Sequence, residues 1–222
     1  MSVNSVQNTL LDILQKYSAL DTEFAKALTG TVSSTGTTLD GTSTLFTTEV
    51  EVDDYVGNIT VGYRKVISIT SNLRLIVASA FDTPLFNATI KNTEIKKGLA
   101  TLEDITMVGR KMRVTFVTSS DIDYEIAKSV GVPVSTQNVL GEYRFVIGVI
   151  FSEPNVILLD ERKGNYDKWI RDVFDGNLTL NNTCVGITSL GAMVFMDHPE
   201  DDNTHMGAIE IVCYPKLVRG NR

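Results

Sequence analysis

The sequence contains little of what identifies several protein classes: two cysteines, two histidines, one tryptophan and five prolines in 222 residues. Two cysteines are too few for a disulfide-rich secreted scaffold. The chain has neither an apolar run of 18 residues nor a cationic leader followed by an apolar stretch, so we expect no membrane-spanning helix and no signal peptide. With 43% hydrophobic and 21% charged residues, the composition excludes a disordered or collagen-like chain.

Positive charge is also scarce. Twenty basic residues stand against 27 acidic ones, which gives a net charge of −7 and an isoelectric point of about 4.9. An excess of negative charge disfavours a phosphate backbone or an anionic membrane as the main partner. We therefore expect no specific nucleic-acid binding and no membrane partner.

The sequence lacks the usual motifs of nucleotide binding and of nucleophilic catalysis. Serine hydrolases of one large class carry the nucleophile in a Gly-x-Ser-x-Gly motif. The most similar segment here is residues 186–191 around Ser189, where the glycines do not have the spacing from the serine that the motif requires. Cys184 and Cys213 have no basic neighbours in the sequence that would lower a thiol pKa, so we expect two small buried hydrophobic residues. We predict no catalytic residue and no cofactor.

One loop, residues 197–205, concentrates acidic side chains around His198 and His205. Carboxylates and imidazoles can bind a divalent cation, so a metal-assisted hydrolase is one interpretation of this loop. The spacing matches no established metal-binding loop, however, and a hydrated hairpin loop that faces water accounts for the same composition. We favour the hydrated loop and predict no metal site. Residues 160–163 are likewise interpreted as a solvated turn.

The first segment with a clear periodicity is residues 3–28, where apolar side chains recur at alternating steps of three and four residues. This spacing is typical of a helix with a heptad-like apolar stripe. The helix either lies on its own protein or packs against copies of itself. We assign the assembly interface to the stripe residues Val3, Val6, Leu10, Ile13, Tyr17, Leu20 and Phe24.

The composition changes at residue 29, and twelve of the next twenty residues are Ser or Thr. Short extended runs follow at 49–52, 55–61, 64–70 and 73–80, which predicts a small β-barrel or sandwich over residues 30–82. The predicted core residues of this module are Leu45, Phe46, Val50, Val56, Val66, Ile69, Leu75, Val77 and Phe81.

The remaining chain, residues 83–222, is predicted to be a mixed or antiparallel sheet with two short helices at 121–130 and 166–174. Strands are predicted at 86–90, 113–118, 143–151, 155–159, 183–196 in two pieces, and 207–214. Because the strands are clustered and do not alternate regularly with helices, the fold class is α+β. The domain boundaries predicted from the sequence are therefore 1–29, 30–82 and 83–222.

Residues 30–81 resemble a small β module that recurs in structural proteins of tailed bacteriophages. The shared features are a Gly/Thr-rich opening strand, a Gly-Thr-x-Thr-x-Phe-Thr turn at residues 41–47, an acidic approach to a hydrophobic strand, and a closing Ala80-Phe81. The resemblance implies a virion structural protein, assembled in the host cytoplasm, that contacts other virion proteins and copies of itself in a ring or trimer. A neck or tail position, as a head–tail connection or tail-completion protein, is the expectation. A fibre-anchoring, decoration or receptor-binding protein is the alternative.

Overall fold

The computed structural model describes residues 3–98, 110–121, 141–177, 179–181, 184–197 and 201–215. Within these residues the chain has four helices and thirteen strands in two sheets, which confirms the α+β class. The chain divides into two compact units. We name the two units by their place in the sequence only: the inner unit is the continuous segment Asp12–Lys96, and the outer unit consists of the two segments that flank it in the sequence, Met1–Leu11 and Lys97–Arg222. None of the helices in the described ranges has the length and apolar character that a membrane crossing requires.

The predicted N-terminal helix is present in two pieces, α1 at Val3–Lys16 and α2 at Ser18–Phe24. The helix breaks at Tyr17, whose backbone is extended, with φ −78° and ψ 119°. The chain then leaves α2 directly into a short strand, β1, at Ala25–Ala27. The prediction of one helix reaching residue 28 was therefore wrong at its end, because Ala25–Ala27 form a strand.

The inner unit contains a seven-stranded sheet and the one-turn helix α3, Phe46–Glu49. Its strands are β1, β2 at Thr31–Thr35, β3 at Thr38–Thr42, β4 at Tyr55–Asn58, β5 at Gly62–Ser71, β6 at Arg74–Val77 and β7 at Lys91–Thr93. Their order across the sheet is β1-β7-β4-β5-β6-β3-β2, and all described pairs are antiparallel. The sheet is not a closed barrel, because β1 and β2 stand at opposite ends of this order.

The outer side of β2 is occupied by backbone from residues 85–90. Val32 and Ala88 exchange two backbone hydrogen bonds of 2.9 Å, and the amide of Ser34 donates to the carbonyl of Leu85 at 3.0 Å. Only one isolated bridge forms here, so the predicted strand at 86–90 was wrong. The predicted strand at 49–52 was also wrong, because that segment is the end of α3 and a turn.

The Gly/Thr-rich segment forms a hairpin, in which β2 and β3 are joined by a turn at Gly36 with φ +61°. The core of the inner unit contains most of the residues predicted for it, with additions from the flanking segments. Its buried members are Leu28, Val32, Leu39, Phe46, Val50, Val56, Val66, Leu75, Val77, Phe81, Leu85 and Ile90. Ile69 is only partly buried, and Leu45 is exposed, because the chain turns at that residue into α3.

The outer unit is built on a six-stranded sheet, which is covered by helix α4, Val156–Asp175. Its strands are β8 at Ile95–Lys97, β9 at Lys111–Asp121, β10 at Gly141–Ser152, β11 at Cys184–Leu190, β12 at Val194–Asp197 and β13 at Thr204–Pro215. The order is β11-β13-β10-β9-β8, antiparallel from β9 to β13, and β12 pairs with the part of β13 that β11 leaves free. The predictions at 113–118, 143–151, 183–196 and 207–214 all coincide with these strands.

Helix α4 is longer than predicted and corrects two interpretations. The predicted strand at 155–159 is the start of the helix, and the predicted turn at 160–163 lies inside it. The Asn155 side chain caps the helix by accepting hydrogen bonds from the amides of Ile157 and Leu158 at 3.0 and 3.4 Å. The predicted helix at 121–130 lies outside the described residues except for Asp121, which ends β9.

Tertiary contacts fix α4 over the sheet. The Tyr166 ring packs edge-on against Phe151, with ring centroids 4.9 Å apart, and Ile170, Val173 and Phe174 are buried on the same helix face. Arg171 donates to the carbonyl of Gly191 at 2.9 Å, which fixes the C-terminal half of the helix over the turn between β11 and β12.

Candidate functional site

The apolar stripe assigned to assembly lies mostly inside the protein. Five of its seven residues, Val6, Leu10, Ile13, Leu20 and Phe24, are buried. The other two, Val3 and Tyr17, are half-buried. These side chains are core residues of the chain itself, and they can contact a second copy only if the helices leave their own sheets. The interpretation of a helix that lies on its own protein accounts for their burial.

Two buried glutamines show how α1 is held. The Gln7 side chain donates to the Val114 carbonyl at 2.8 Å in the outer unit. The Gln15 side chain donates to the carbonyl of Ile95, the first residue of β8, also at 2.8 Å. A buried amide that lost such an acceptor would remain unsatisfied, so both bonds oppose detachment of the helix. Sequence periodicity gave no signal for either contact.

A buried carboxylate fixes α2 to its sheet. Tyr63 of β5 donates its hydroxyl to Asp21, and the Lys91 ammonium of β7 lies 2.5 Å from the other carboxylate oxygen. Burial, followed by the hydrogen bond to Asp21, raises the pKa of the Tyr63 phenol above its ordinary value of 10.0. The phenol therefore stays protonated and serves as a permanent donor, which is a structural role.

The acidic loop at residues 197–205 is engaged in its own turn. The Asp201 carboxylate accepts from the Asn203 amide at 3.0 Å and from the Thr204 hydroxyl at 2.6 Å. His198 and its neighbours in residues 198–200 lie outside the described residues. Among the residues that the structure describes, no three His, Cys, Asp or Glu side chains are grouped so as to bind a metal ion.

The second histidine of the loop is a core residue. The His205 side chain is 3% exposed, packs against the Phe151 ring, and has Nδ1 2.7 Å from Oδ1 of Asp197. Asp197 is 68% exposed and also lies 3.7 Å from the Lys163 ammonium. The hydrogen bond with His205, followed by the positive charge of Lys163, lowers the pKa of the Asp197 carboxyl below its ordinary value of 3.8. Nε2 of His205 has no hydrogen-bond partner in the described part of the chain.

Helix α4 begins with the two most exposed large apolar side chains in the described part of the outer unit, Val156 and Ile157. Val156, Ile157 and Leu158 are consecutive and are 73%, 82% and 45% exposed. Three neighbouring aliphatic residues in water are unusual at a helix start, where the cap itself requires only Asn155. The sequence does not predict this surface, because the apolar run at residues 155–159 is equally typical of a buried strand.

A second apolar strip lies at the edge of the same sheet. On β12, the Phe195 ring lies beneath the Lys163 ammonium of α4, 5.7 Å from the ring centroid. Val194 and Met196 therefore point to the opposite face, where both are exposed. Their partners on β13 are Ala208 and Met206. No described strand pairs with the other side of β12.

Both cysteines are thiols and both are buried, as expected from the sequence. They lie on adjacent strands of the outer unit, Cys184 at the start of β11 and Cys213 near the end of β13. The hydrogen bond with Cys184, followed by burial, raises the pKa of the Cys213 thiol above its ordinary value of 9.0. Burial and a raised pKa keep the Cys213 thiol protonated while β11 is paired with β13, which does not suit a catalytic nucleophile.

Comparison of the chain with protein-family models, with curated proteins and with solved structures gives no match.

Proposed function

We propose that this protein is a structural subunit of a tailed-phage virion, at the neck or tail, and that it acts through contacts with copies of itself and with other virion proteins. The proposal rests on the Gly/Thr-rich module of residues 30–81 and on apolar surface that the described chain leaves uncovered. The observation that carries it is the exposure of Val156, Ile157 and Leu158 in succession. Exposed apolar surface of this kind is typical of a protein interface.

The α4 start and the β12 strip replace the buried stripe of α1 and α2 as the proposed contact surfaces. Both belong to the outer unit, and both combine aliphatic side chains with charged neighbours such as Asp160 and Asp197. Apolar centres with a polar rim are the usual anatomy of subunit interfaces. We assign the α4 start to contacts between copies of this chain.

The test is the native mass of the full chain over a range of concentrations, measured by analytical ultracentrifugation. We expect a closed oligomer, and we expect Val156→Gln combined with Ile157→Gln to weaken it. Burial of one such aliphatic side chain contributes about 1.5–3 kcal/mol, so the dissociation constant should rise roughly tenfold or more. Lys168→Gln is the matched control, because it introduces the same side chain at an exposed position of the same helix.

A monomer at high protein concentration would overturn the proposal. So would an oligomer that responds equally to the double variant and to Lys168→Gln, because the contact would then lie elsewhere. A trimer instead of a larger ring would favour the fibre or decoration role over the neck or tail role.

A further inference from the structure

The two cysteines of this protein lie on neighbouring strands of the same sheet. Strands β11 and β13 are antiparallel neighbours, with Cys184 opposite Pro215 and Ile187 opposite Cys213. Cys213 is two residues from Pro215, and side chains two residues apart on a strand share a face of the sheet. Cys184 and Cys213 are thus diagonal neighbours on one face of the sheet. Both side chains are buried, and the Cys184 thiol is the largest influence that raises the pKa of the Cys213 thiol.

The strand that carries Cys184 is the more easily displaced of the two. β11 stands at the edge of the sheet and pairs only with β13 among the described strands. Its register shifts twice, between Cys184 and Gly186 and between Ile187 and Ser189. A bulged edge strand has fewer regular hydrogen bonds to hold it, so local opening of β11 exposes the thiols while β10 and β13 stay paired.

We propose that Cys184 and Cys213 form an intrachain disulfide when the protein meets a small-molecule disulfide oxidant, and that this bond fastens the edge strand β11 to the sheet. The inference is independent of the proposed virion role. The proposed disulfide would modify two residues that are both thiols in the structure. In a reducing compartment the pair stays in its thiol form.

The reaction consists of two thiol–disulfide exchanges. One cysteine loses its proton, and its thiolate attacks a sulfur of oxidised glutathione; a mixed disulfide forms and one glutathione thiolate leaves and takes up a proton. The second cysteine, also deprotonated, then attacks the protein sulfur of the mixed disulfide, and the second glutathione leaves. The protein loses two protons and two electrons, and one glutathione disulfide becomes two thiols.

The experiment treats the purified full chain with oxidised glutathione at mildly alkaline pH and follows it by intact mass and non-reducing peptide mapping. We expect the mass to fall by two hydrogen atoms, with one linked peptide pair that contains Cys184 and Cys213. The bond closes a loop with 28 residues between the two cysteines. We therefore expect the thermal midpoint to rise by about 5–10 °C and to return after reduction with dithiothreitol.

Single variants separate this outcome from general thiol reactivity. Cys184→Ser and Cys213→Ser each leave one thiol, and either should gain one glutathione instead of losing two hydrogens, with no rise in the midpoint. Should a serine variant fail to fold, Cys184→Ala and Cys213→Ala provide the same test without a buried hydroxyl.

Three results would overturn the proposal. The first is a folded protein that keeps both thiols after prolonged oxidation. The second is a stable glutathione adduct or an intermolecular disulfide in place of the internal link. The third is an internal link that lowers the thermal midpoint, because a bond that strains the sheet does not fasten it.

Discussion

The Nδ1 atom of buried His205 lies 2.7 Å from Oδ1 of Asp197, a carboxylate that stands mostly in water. The pair joins strand β13 to the edge strand β12 across a register pair. The carboxylate also faces Lys163 of α4. One exposed acidic side chain therefore links two strands and a helix at the apolar strip.

This pair predicts an acid-sensitive contact at β12. The pKa of Asp197 is lowered, so its contribution to stability is complete above the ordinary value of 3.8 and is lost as the pH falls through the folded-state pKa. Titration of the Asp197 carboxyl by NMR should give a value below 3.8, and His205→Gln should move it upward. Lys163→Met should move it less, because the hydrogen bond with His205 is the larger cause. A carboxyl that titrates at or above 3.8 in the unmodified protein would contradict the contact.

The acidic loop should not require a cation. Asp201 is already engaged by Asn203 and Thr204, and Asp197 by His205, so a divalent ion would have to displace these donors. We expect the thermal midpoint to be the same in chelator and in millimolar Ca²⁺, Mg²⁺ or Zn²⁺. Elemental analysis that found one retained ion per chain, lost in His205→Ala together with a hydrolytic activity, would instead support the metal-assisted hydrolase.

Leu10 tests whether the α1 stripe is core or interface. Because its side chain is fully buried, Leu10→Ala should lower the free energy of unfolding by about 2–5 kcal/mol in urea titrations. Asn8→Ala, an exposed position on the same helix, should change it by about 0.5 kcal/mol or less. Unchanged stability combined with loss of the oligomer in Leu10→Ala would return the stripe to an intermolecular role.

Tyr63 should make the protein sensitive to alkali. Above pH 10.0 the phenol ionises in the unfolded chain but keeps its proton in the folded one, so stability falls as the pH rises. Tyr63→Phe should remove this contribution to the fall in the free energy of unfolding between pH 10 and 11. It should also cost about 1.5–3 kcal/mol at neutral pH, because a donor to a buried carboxylate is lost. Equal alkaline slopes in the two proteins would show that the phenol does not donate to Asp21.

Two glycines should respond to alanine in opposite directions. Gly30 has φ +78°, and a Cβ there would collide with the carbonyl oxygen of Thr42, so Gly30→Ala should be clearly destabilising. Gly164 lies inside α4 with open space around the Cβ position, so Gly164→Ala should stabilise by about 0.5–1 kcal/mol. Thermal unfolding of both variants checks the contrast, and a stabilised Gly30→Ala would contradict the backbone conformation at that residue.

Local sequence signals were sufficient for much of the fold. The strands β9, β10 and β13 are predicted to within a few residues at most ends, because each is rich in β-branched and aromatic residues. The clustering of strands gave the α+β class. The order β1-β7-β4-β5-β6-β3-β2 could not be predicted, because it depends on pairings such as β1 with β7 between residues far apart in the sequence.

The errors have identifiable physical causes. Val156, Ile157 and Leu158 favour a strand by their side chains, yet the Asn155 cap starts a helix there and leaves all three exposed. The stripe of α1 and α2 was correctly recognised as apolar on one side. Apolar periodicity shows that one face of a helix packs against other residues. It does not show whether those residues belong to the same chain or to a second one, so only the folded structure distinguishes core from interface.

The occupied edge of β2 has a consequence for how the inner unit avoids aggregation. With residues 85–90 bonded along β2, the other end of the seven-stranded sheet is β1, which is three residues long and carries the exposed Lys26. A short edge strand that carries an exposed lysine pairs poorly with a strand from another molecule. Crowded nascent copies should therefore resist fibril-like stacking through this sheet.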